Sequence, residues 1–513
     1  MNAWIKAAEL GALPASGMTR VKIENEAVLL VRDGECLRAF QADCPHAGAP
    51  LEAGALCNGR IVCPWHKAVF AADSGAWLEP PALGSLKAWP VKVESSSVFI
   101  DLQPGAPAAT VARRGTPQRF AIIGGGAAAA SAVATLLDNG FDGELTVFCA
   151  EPQAPYDRTC LSKFVPAGDM QPDDVPPLLS EEITRDERLR IEHTAVVRFD
   201  TALKRVTLAD GRETAFDAAL VATGSSARRP DLPGANLDRV FTLRTLHDAK
   251  AILEGIAAGE HVVMLGDSFV SLETASALRK RDVRVTVVTP SGVPLHQALG
   301  ARVGSLFRDW HEAHGVTFQR AKALRLEGRE CIESIQLDTG ENLPAHAVIA
   351  GVGVRPATQL LAGLKLDHDG GVSVDATMCA APRVYVAGDI ARFPLADGSG
   401  LARTARIEHW RVAQQLARVA ALNMLEREVR YEGVPFFWTE HFGQRVDYLG
   451  HATQWDDLDI SGNFAEGRVR AIYSRLGHVQ AVLACGYDQA TAHLIERMRE
   501  PITADIARAV LGG

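Results

Sequence analysis

The feature that most restricts this 513-residue chain is a duplication. Twice, an apolar run leads straight into a glycine turn, a small-residue helical stretch and a second apolar run: FAIIGGGAAAASAVATLLDNG…ELTVFCAE and HVVMLGDSFVSLETASALRKRDVRVTVV. That is the texture of a strand–turn–helix–strand unit, which lies in a parallel sheet and can cradle a pyrophosphate at its helix start. Two units predict two nucleotide-binding α/β domains, and a chain of this length has room for about three or four domains.

In the first unit Gly124-x-Gly126-x-x-Ala129 closes a strand and opens a helix. The first glycine makes the tight turn, the second lets backbone approach a pyrophosphate, and the small third residue lets helix pack on strand. The next strand ends at Glu151, 22 residues beyond Ala129, where a carboxylate can take ribose hydroxyls. The second unit, Gly266-x-Ser268-x-x-Ser271, is degenerate, and its following strand ends in Thr289 with no acid there. No arginine stands beside Thr289 to grip a 2′-phosphate, which favours NADH, with NADPH the alternative.

Upstream, residues 20–102 alternate short β-branched runs with turn residues, the pattern of a small antiparallel β domain. Within it lie Cys44-x-His46, a 16-residue gap, and Cys63-x-x-His66. Each loop offers one thiolate and one imidazole. With both cysteines on one iron and both histidines on the other, the site is a [2Fe–2S] cluster of Rieske type. Zinc is the rival, although zinc sites usually pair like ligands in short steps. A Pro-, Ala- and Gly-rich stretch, residues 103–118, reads as a linker, and the chain beyond about residue 427 as an α+β cap.

These motifs carry a family resemblance. CPHAG, CPWH and FAADSGAWLEPPALGSLKAWPV resemble the Rieske ferredoxins over about residues 3–102. The extra cysteines of respiratory Rieske proteins are replaced by Ala49 and Trp65, which implies the lower-potential ferredoxin kind, and Lys67 stands where that family usually has glycine. LVATGSSARRP, AVIAGVGVRP and VYVAGDIARF resemble the two-dinucleotide flavoprotein disulfide reductase superfamily. YDRTCLSK, SFVSLETA, EHW and VPFFWTEHFG narrow the likeness to apoptosis-inducing-factor-like and oxygenase-coupled ferredoxin reductases. Together they resemble the apoptosis-inducing-factor-like Rieske flavoproteins.

The resemblance implies a multidomain fold: a small antiparallel β Rieske domain (1–104), a linker (105–118), an FAD-binding Rossmann-like domain in two parts (119–228 and 352–426) around an NAD-binding one (229–351), and an α+β C-terminal interface domain (427–513). It implies that Cys44, His46, Cys63 and His66 bind the cluster. Gly124, Gly126, Ala129, Glu151, Arg158, Thr223, Gly224 and Asp389 would seat FAD, and Gly266, Ser268 and Gly353 NAD. Lys163 and Glu273 would pair beside the flavin N5 edge, with Glu408, His409 and Trp410 against the isoalloxazine.

Other chemistry is argued against. A net charge of -9 gives no footprint for nucleic acid, and no apolar run reaches the roughly 18 residues that cross a bilayer. The start lacks the layout of a signal peptide, so the expected location is cytoplasmic, where nine cysteines are no disulfide framework. Dithiol exchange needs C-x4-C after the first unit, and only Cys160 is there. An oxygenase iron site has no domain left to hold it, and His311 and His314 in WHEAHG read as an exposed helix face.

The expected activity is electron transfer from NADH through FAD to the chain's own cluster. An external acceptor follows: an oxygenase, a cytochrome P450 or another redox protein. His46 and His66 are expected to expose their outer edges at the domain tip. Two alternatives stand beside it, an NADH-responsive redox sensor and a single-cysteine peroxidase or disulfide reductase acting through Cys160. Whether transfer runs within one chain or across a homodimer is open at this level.

Overall fold

A computed structural model describes residues 4–103, 118–396 and 402–512. The expected linker stretch therefore lies, apart from Gln103 and Gln118, outside the described residues.

The N-terminal strands are short, β-branched and turn-bounded, and they pair antiparallel. Ser16–Ile23, Glu26–Asp33, Cys36–Gln41 and Ala88–Trp89 form one sheet, and Trp4–Glu9, Ser97–Asp101 and Val91–Glu94 a second. A third sheet, Ala55–Cys57, Arg60–Val62, Val69–Ala71 and Trp77–Glu79, carries the second Cys/His loop between its middle strands.

The two fingerprint units build two parallel sheets. In the first the spatial order is Leu189–Glu192, Glu144–Phe148, Arg119–Ile123, Ala218–Val221, Val384–Val386, with Cys379–Ala381 added antiparallel at the edge. Its strands are near-continuous apolar runs because both faces are covered. The alanine-rich start of helix Ala127–Asp138 lets it sit close to helix Trp410–Met424, where Ser131 Oγ donates to the Gln414 carbonyl at 2.9 Å. The chain leaves this sheet after Val221 and returns at Cys379, having built the second sheet in between. That sheet runs Val240–Phe241, Ala347–Ala350, His261–Leu265, Arg284–Thr289, Val316–Arg320, all parallel.

The C-terminal part is a five-stranded antiparallel sheet, Phe436–His441, Gln444–Gly450, His478–Cys485, Arg468–Arg475, Asp457–Asn463, backed by helices Asp488–Arg497 and Ala504–Val510. Its apolar core is shared with the N-terminal domain: Ala55, Val62 and Val69 pack in one cluster with Phe436, Leu449 and Ile495.

A polar joint reinforces that shared core. Glu79 accepts from Arg411 at 2.8 Å, Gln415 at 2.9 Å and Arg60 at 2.6 Å, and it also pairs with Arg499. Arg418 donates to the carbonyls of Trp77 and Leu78, both at 2.9 Å, and lies over the Trp77 ring. Burial alone would raise the Glu79 carboxyl, but the guanidinium groups of Arg411, Arg499 and Arg60 hold it down at about 2.

One expectation fails here. His311 is buried, not exposed, on helix His296–Ala313, because Trp310, Phe318, His441 and Phe442 enclose its ring; His314 is exposed, as expected.

Candidate functional site

The two Cys/His loops are near-copies. Cys44 N–H donates to the Ala49 carbonyl at 2.8 Å and Cys63 N–H to the Ala68 carbonyl at 2.9 Å, and each loop turns on a left-handed residue, Gly48 (φ 72°) and Lys67 (φ 59°). That conformation explains why glycine suits the position that Lys67 occupies. Both thiols are buried and face each other. The neighbouring Cys63 thiol and burial push the Cys44 thiol up. At Cys63 burial is outweighed by the Cys44 contact and the amides of His66 and Trp65, which bring its thiol down to about 7. Opposite them, His46 Nδ1 and His66 Nδ1 lie 3.1 Å apart, and burial lowers both imidazoles toward the neutral form that binds metal.

This donor set fits a [2Fe–2S] cluster: two thiols with backbone N–H donors on one side, two neutral Nδ1 atoms on the other. The donors gather as two pairs. Among the described residues no three His, Cys, Asp or Glu side chains are grouped around one metal position.

The histidines are not at an outward tip, contrary to the sequence expectation. Both are half-buried and line a cleft of about 1050 Å³ whose far wall includes Asp157, Thr159, Cys160 and Lys163. The His66 ring lies 4.3 Å from the ring of Trp438, and His46 6.4 Å from it. The cause is the shared core, which turns the loops toward the rest of the chain.

Trp438 also lines a second cavity, of about 680 Å³. Of the residues singled out in the sequence, Gly126, Arg158, Lys163, Gly224, Ser268, Glu273, Gly353, Asp389, Glu408, His409 and Trp410 line this cavity. A side chain at Gly126 would meet nothing, so the first turn of helix Ala127–Asp138 stays open to it. His409 Nδ1 and Trp410 Nε1 are buried without a hydrogen-bond partner, and burial lowers His409 to about 3. An open helix start and unpaired polar atoms in one cavity suit a dinucleotide with a polar ring system.

The remaining predicted residues sit behind that lining. A Cβ on Gly124 would collide with the Ala222 carbonyl, and one on Gly266 would crowd that of Gly351, so both glycines let strand ends approach. Ala129 is buried in its helix. Thr223 Oγ1 donates to the Ala357 carbonyl at 2.7 Å. Glu151 pairs with Arg158 and accepts from Tyr156 at 2.6 Å.

Glu273 is a joint. Its carboxylate lies 3.1 Å from Lys163 Nζ and accepts from Ser162 at 2.6 Å, Thr439 at 2.7 Å and the Glu440 amide at 3.0 Å. Pairing and burial replace the solvated helix-face charge that such residues would otherwise be.

Sequence reasoning missed several groups. Arg244 donates to Asp389 at 2.9 Å, beside Ser225 at 2.5 Å. Asp267 accepts from Thr289 at 2.7 Å, supplying a carboxylate at the strand end that lacks one of its own. Trp438, within VPFFWTEHFG, carries no signal of its own in the sequence. Cys160, by contrast, is buried, and its thiol is pushed up to about 12 by burial and by Asp157, which makes a poor nucleophile.

Comparison with known proteins follows the two halves of this geometry. The pyridine nucleotide-disulphide oxidoreductase family matches residues 118–417, and the Rieske [2Fe–2S] domain residues 3–90. Apoptosis-inducing factor 3 of Homo sapiens is 33% identical over 497 residues, covering 93% of this chain and 81% of its own. The biphenyl dioxygenase system ferredoxin–NAD(+) reductase component of Paraburkholderia xenovorans (strain LB400) is 32% identical, over 71% of this chain and 89% of its own. The crystal structure of the covalent putidaredoxin reductase–putidaredoxin complex is similar in fold, with a TM-score of 0.72 at 23% identity, over 77% of this chain and 96% of that one.

Proposed function

The chain belongs to the pyridine nucleotide-disulphide oxidoreductase family and carries a Rieske [2Fe–2S] domain, and from that premise we propose a reductase that moves electrons from NADH through FAD to its own cluster, within one chain, and on to an external acceptor. The observation that carries this reading is Trp438, which touches His66 on one side and lines the Lys163–Glu273 cavity on the other. Once bound, these groups would supply hydride chemistry at the nicotinamide, a switch from two-electron to one-electron chemistry at the flavin, and one-electron chemistry at the cluster.

The chain's residues do the seating. Gly124, Gly126 and the open first turn ahead of Ala129 would admit a pyrophosphate; Glu151 with Arg158, Thr223 with Gly224, and Asp389 with Arg244 would hold FAD around it. Lys163, fixed by Glu273, would donate toward the flavin, and Glu408, His409 and Trp410 would wall its ring system. Gly266, Ser268 and Gly353 seat the nicotinamide nucleotide. Asp267 beside Thr289 places a negative charge where a 2′-phosphate would sit, which supports NADH over NADPH.

Cys44, Cys63, His46 and His66 would hold the cluster, and the cleft that the two histidines line would be the exit toward an oxygenase, a cytochrome P450 or another redox protein. A homodimer is not required for the internal transfer. The reading includes a cytoplasmic setting.

Replacing His66 tests the division of labour. In His66→Ala, NADH should still bleach the flavin while the reduced-Rieske electron paramagnetic resonance (EPR) signal disappears. Loss of flavin bleaching in a folded, FAD-loaded variant would contradict it.

A further inference from the structure

The second cluster loop contains a lysine in an unusual position. Lys67 directly follows His66, is fully buried, and holds a left-handed backbone (φ 59°), a conformation uncommon for a residue that carries a side chain. Its ammonium donates to the Pro64 carbonyl, to the Trp65 carbonyl at 3.4 Å and to Asp447 Oδ2 at 2.8 Å. A buried ammonium without partners is strongly disfavoured. Here all three N–H bonds are used, two inside the loop and one across to the C-terminal sheet.

The other end of the residue is held as well. The Lys67 carbonyl accepts from Arg411 Nη2 at 2.7 Å, and the ammonium lies 5.4 Å from the centre of the Phe436 ring. Asp447 is fixed in turn by Arg445 at 3.0 Å and Thr491 at 3.1 Å.

Strand register gives this anchor its consequence. Asp447 pairs directly with Trp438 across antiparallel strands, and directly opposed residues project side by side on one face of a sheet. Fastening residue 67 to Asp447 therefore sets residue 66 against Trp438, and the two rings lie 4.3 Å apart.

We propose that Lys67 is a positioning residue for internal electron transfer: its ion pair with Asp447 clamps the second cluster loop onto the C-terminal sheet and holds the outer side of His66 against Trp438. The glycine usual at this turn would satisfy the backbone but supply no clamp. The inference rests on the proposed route through Trp438 within one chain.

The test uses the full, cofactor-loaded protein. Lys67→Gly keeps the backbone turn and removes the clamp; Lys67→Arg keeps the cation. In Lys67→Gly the cluster should still load, shown by the dithionite-reduced EPR signal, and NADH should bleach the flavin at the wild-type rate. Cluster reduction after NADH should slow by about tenfold or more, the scale that small misplacements of reacting groups produce. Hydrogen–deuterium exchange across residues 63–69 should rise, and Lys67→Arg should restore part of both. If Lys67→Gly does not retain the cluster, Asp447→Asn, outside both loops, should show the same slowing and the same exchange.

Cluster reduction within twofold of wild type in the loaded variant, or unchanged exchange, overturns the clamp. Failure of the underlying route looks different: the wild-type cluster itself would stay oxidised under NADH.

Discussion

The two cluster loops share a hydrogen-bonded frame and a left-handed turn, yet they live in different surroundings. The first exposes Pro45, Ala47 and Gly48, and nothing lies within 4 Å of where a Gly48 side chain would start. The second is buried at Pro64, Lys67 and Ala68 and bonded to two other parts of the chain through Arg411 and Asp447. The difference separates two tasks that one motif usually combines. Binding the cluster needs only the frame, which both loops have. Aiming it needs an outside contact, and only the second loop is clamped in this way by the C-terminal half.

The largest expected effect comes from unlocking the second loop at Arg411. This guanidinium is buried and serves Glu79, the Pro80 carbonyl and the Lys67 carbonyl. Arg411→Ala leaves those acceptors facing a void, and breaking such a buried pair costs about 3–5 kcal/mol. Thermal melting should show the loss, with amide exchange rising in residues 63–69 and not in 44–49. Equal rises in both loops would erase the contrast.

Acid should have a smaller, graded effect on the same joint. The Glu79 carboxyl is held at about 2, against an ordinary 4.5, so the folded state favours its charged form. Its contribution is complete above pH 4.5 and drains away as the pH falls toward 2. Melting temperature followed across that range should fall more steeply in the wild type than in Glu79→Gln. Parallel curves would remove Glu79 from the joint.

The smallest effect belongs to the first loop. Gly48→Ala forces a side chain into a left-handed turn with open space around it, which costs about 1 kcal/mol of backbone strain. The cluster should load and be reduced by NADH at the wild-type rate. A slowing as large as that of Lys67→Gly would mean that both loops aim the cluster.

What could be read from the sequence was whatever is local. Cys44, His46, Cys63 and His66 stand in two short boxes, and the turns at Gly124 and Gly266 follow directly from strand and helix texture. The structure brings eleven of the expected flavin- and NAD-side residues around one cavity. Relations between distant segments were not legible. Asp267 reaches Thr289 across 22 residues, Arg244 reaches Asp389 across 145, and Lys67 reaches Asp447 across 380. None of these leaves a periodic trace.

The two misplaced sets of histidines share a cause. His46 and His66 were expected to expose their outer edges at the domain tip, as an exit for electrons, which leaves out any neighbour packed against that tip. The shared core of Val62, Val69, Phe436 and Leu449 supplies one. His311 was placed with His314 on the exposed face of an amphipathic helix, whereas Phe307 and Trp310 on the same helix place it on the buried face.

The most direct test of transfer within one chain is anaerobic stopped-flow mixing with NADH, following flavin bleaching and cluster reduction over a wide range of protein concentration, with freeze-quenched EPR at the end point. The account predicts a rhombic reduced-Rieske signal and a cluster-reduction rate that does not change with protein concentration. A rate that rises in proportion to protein concentration, or a cluster that stays oxidised until dithionite is added, would contradict it.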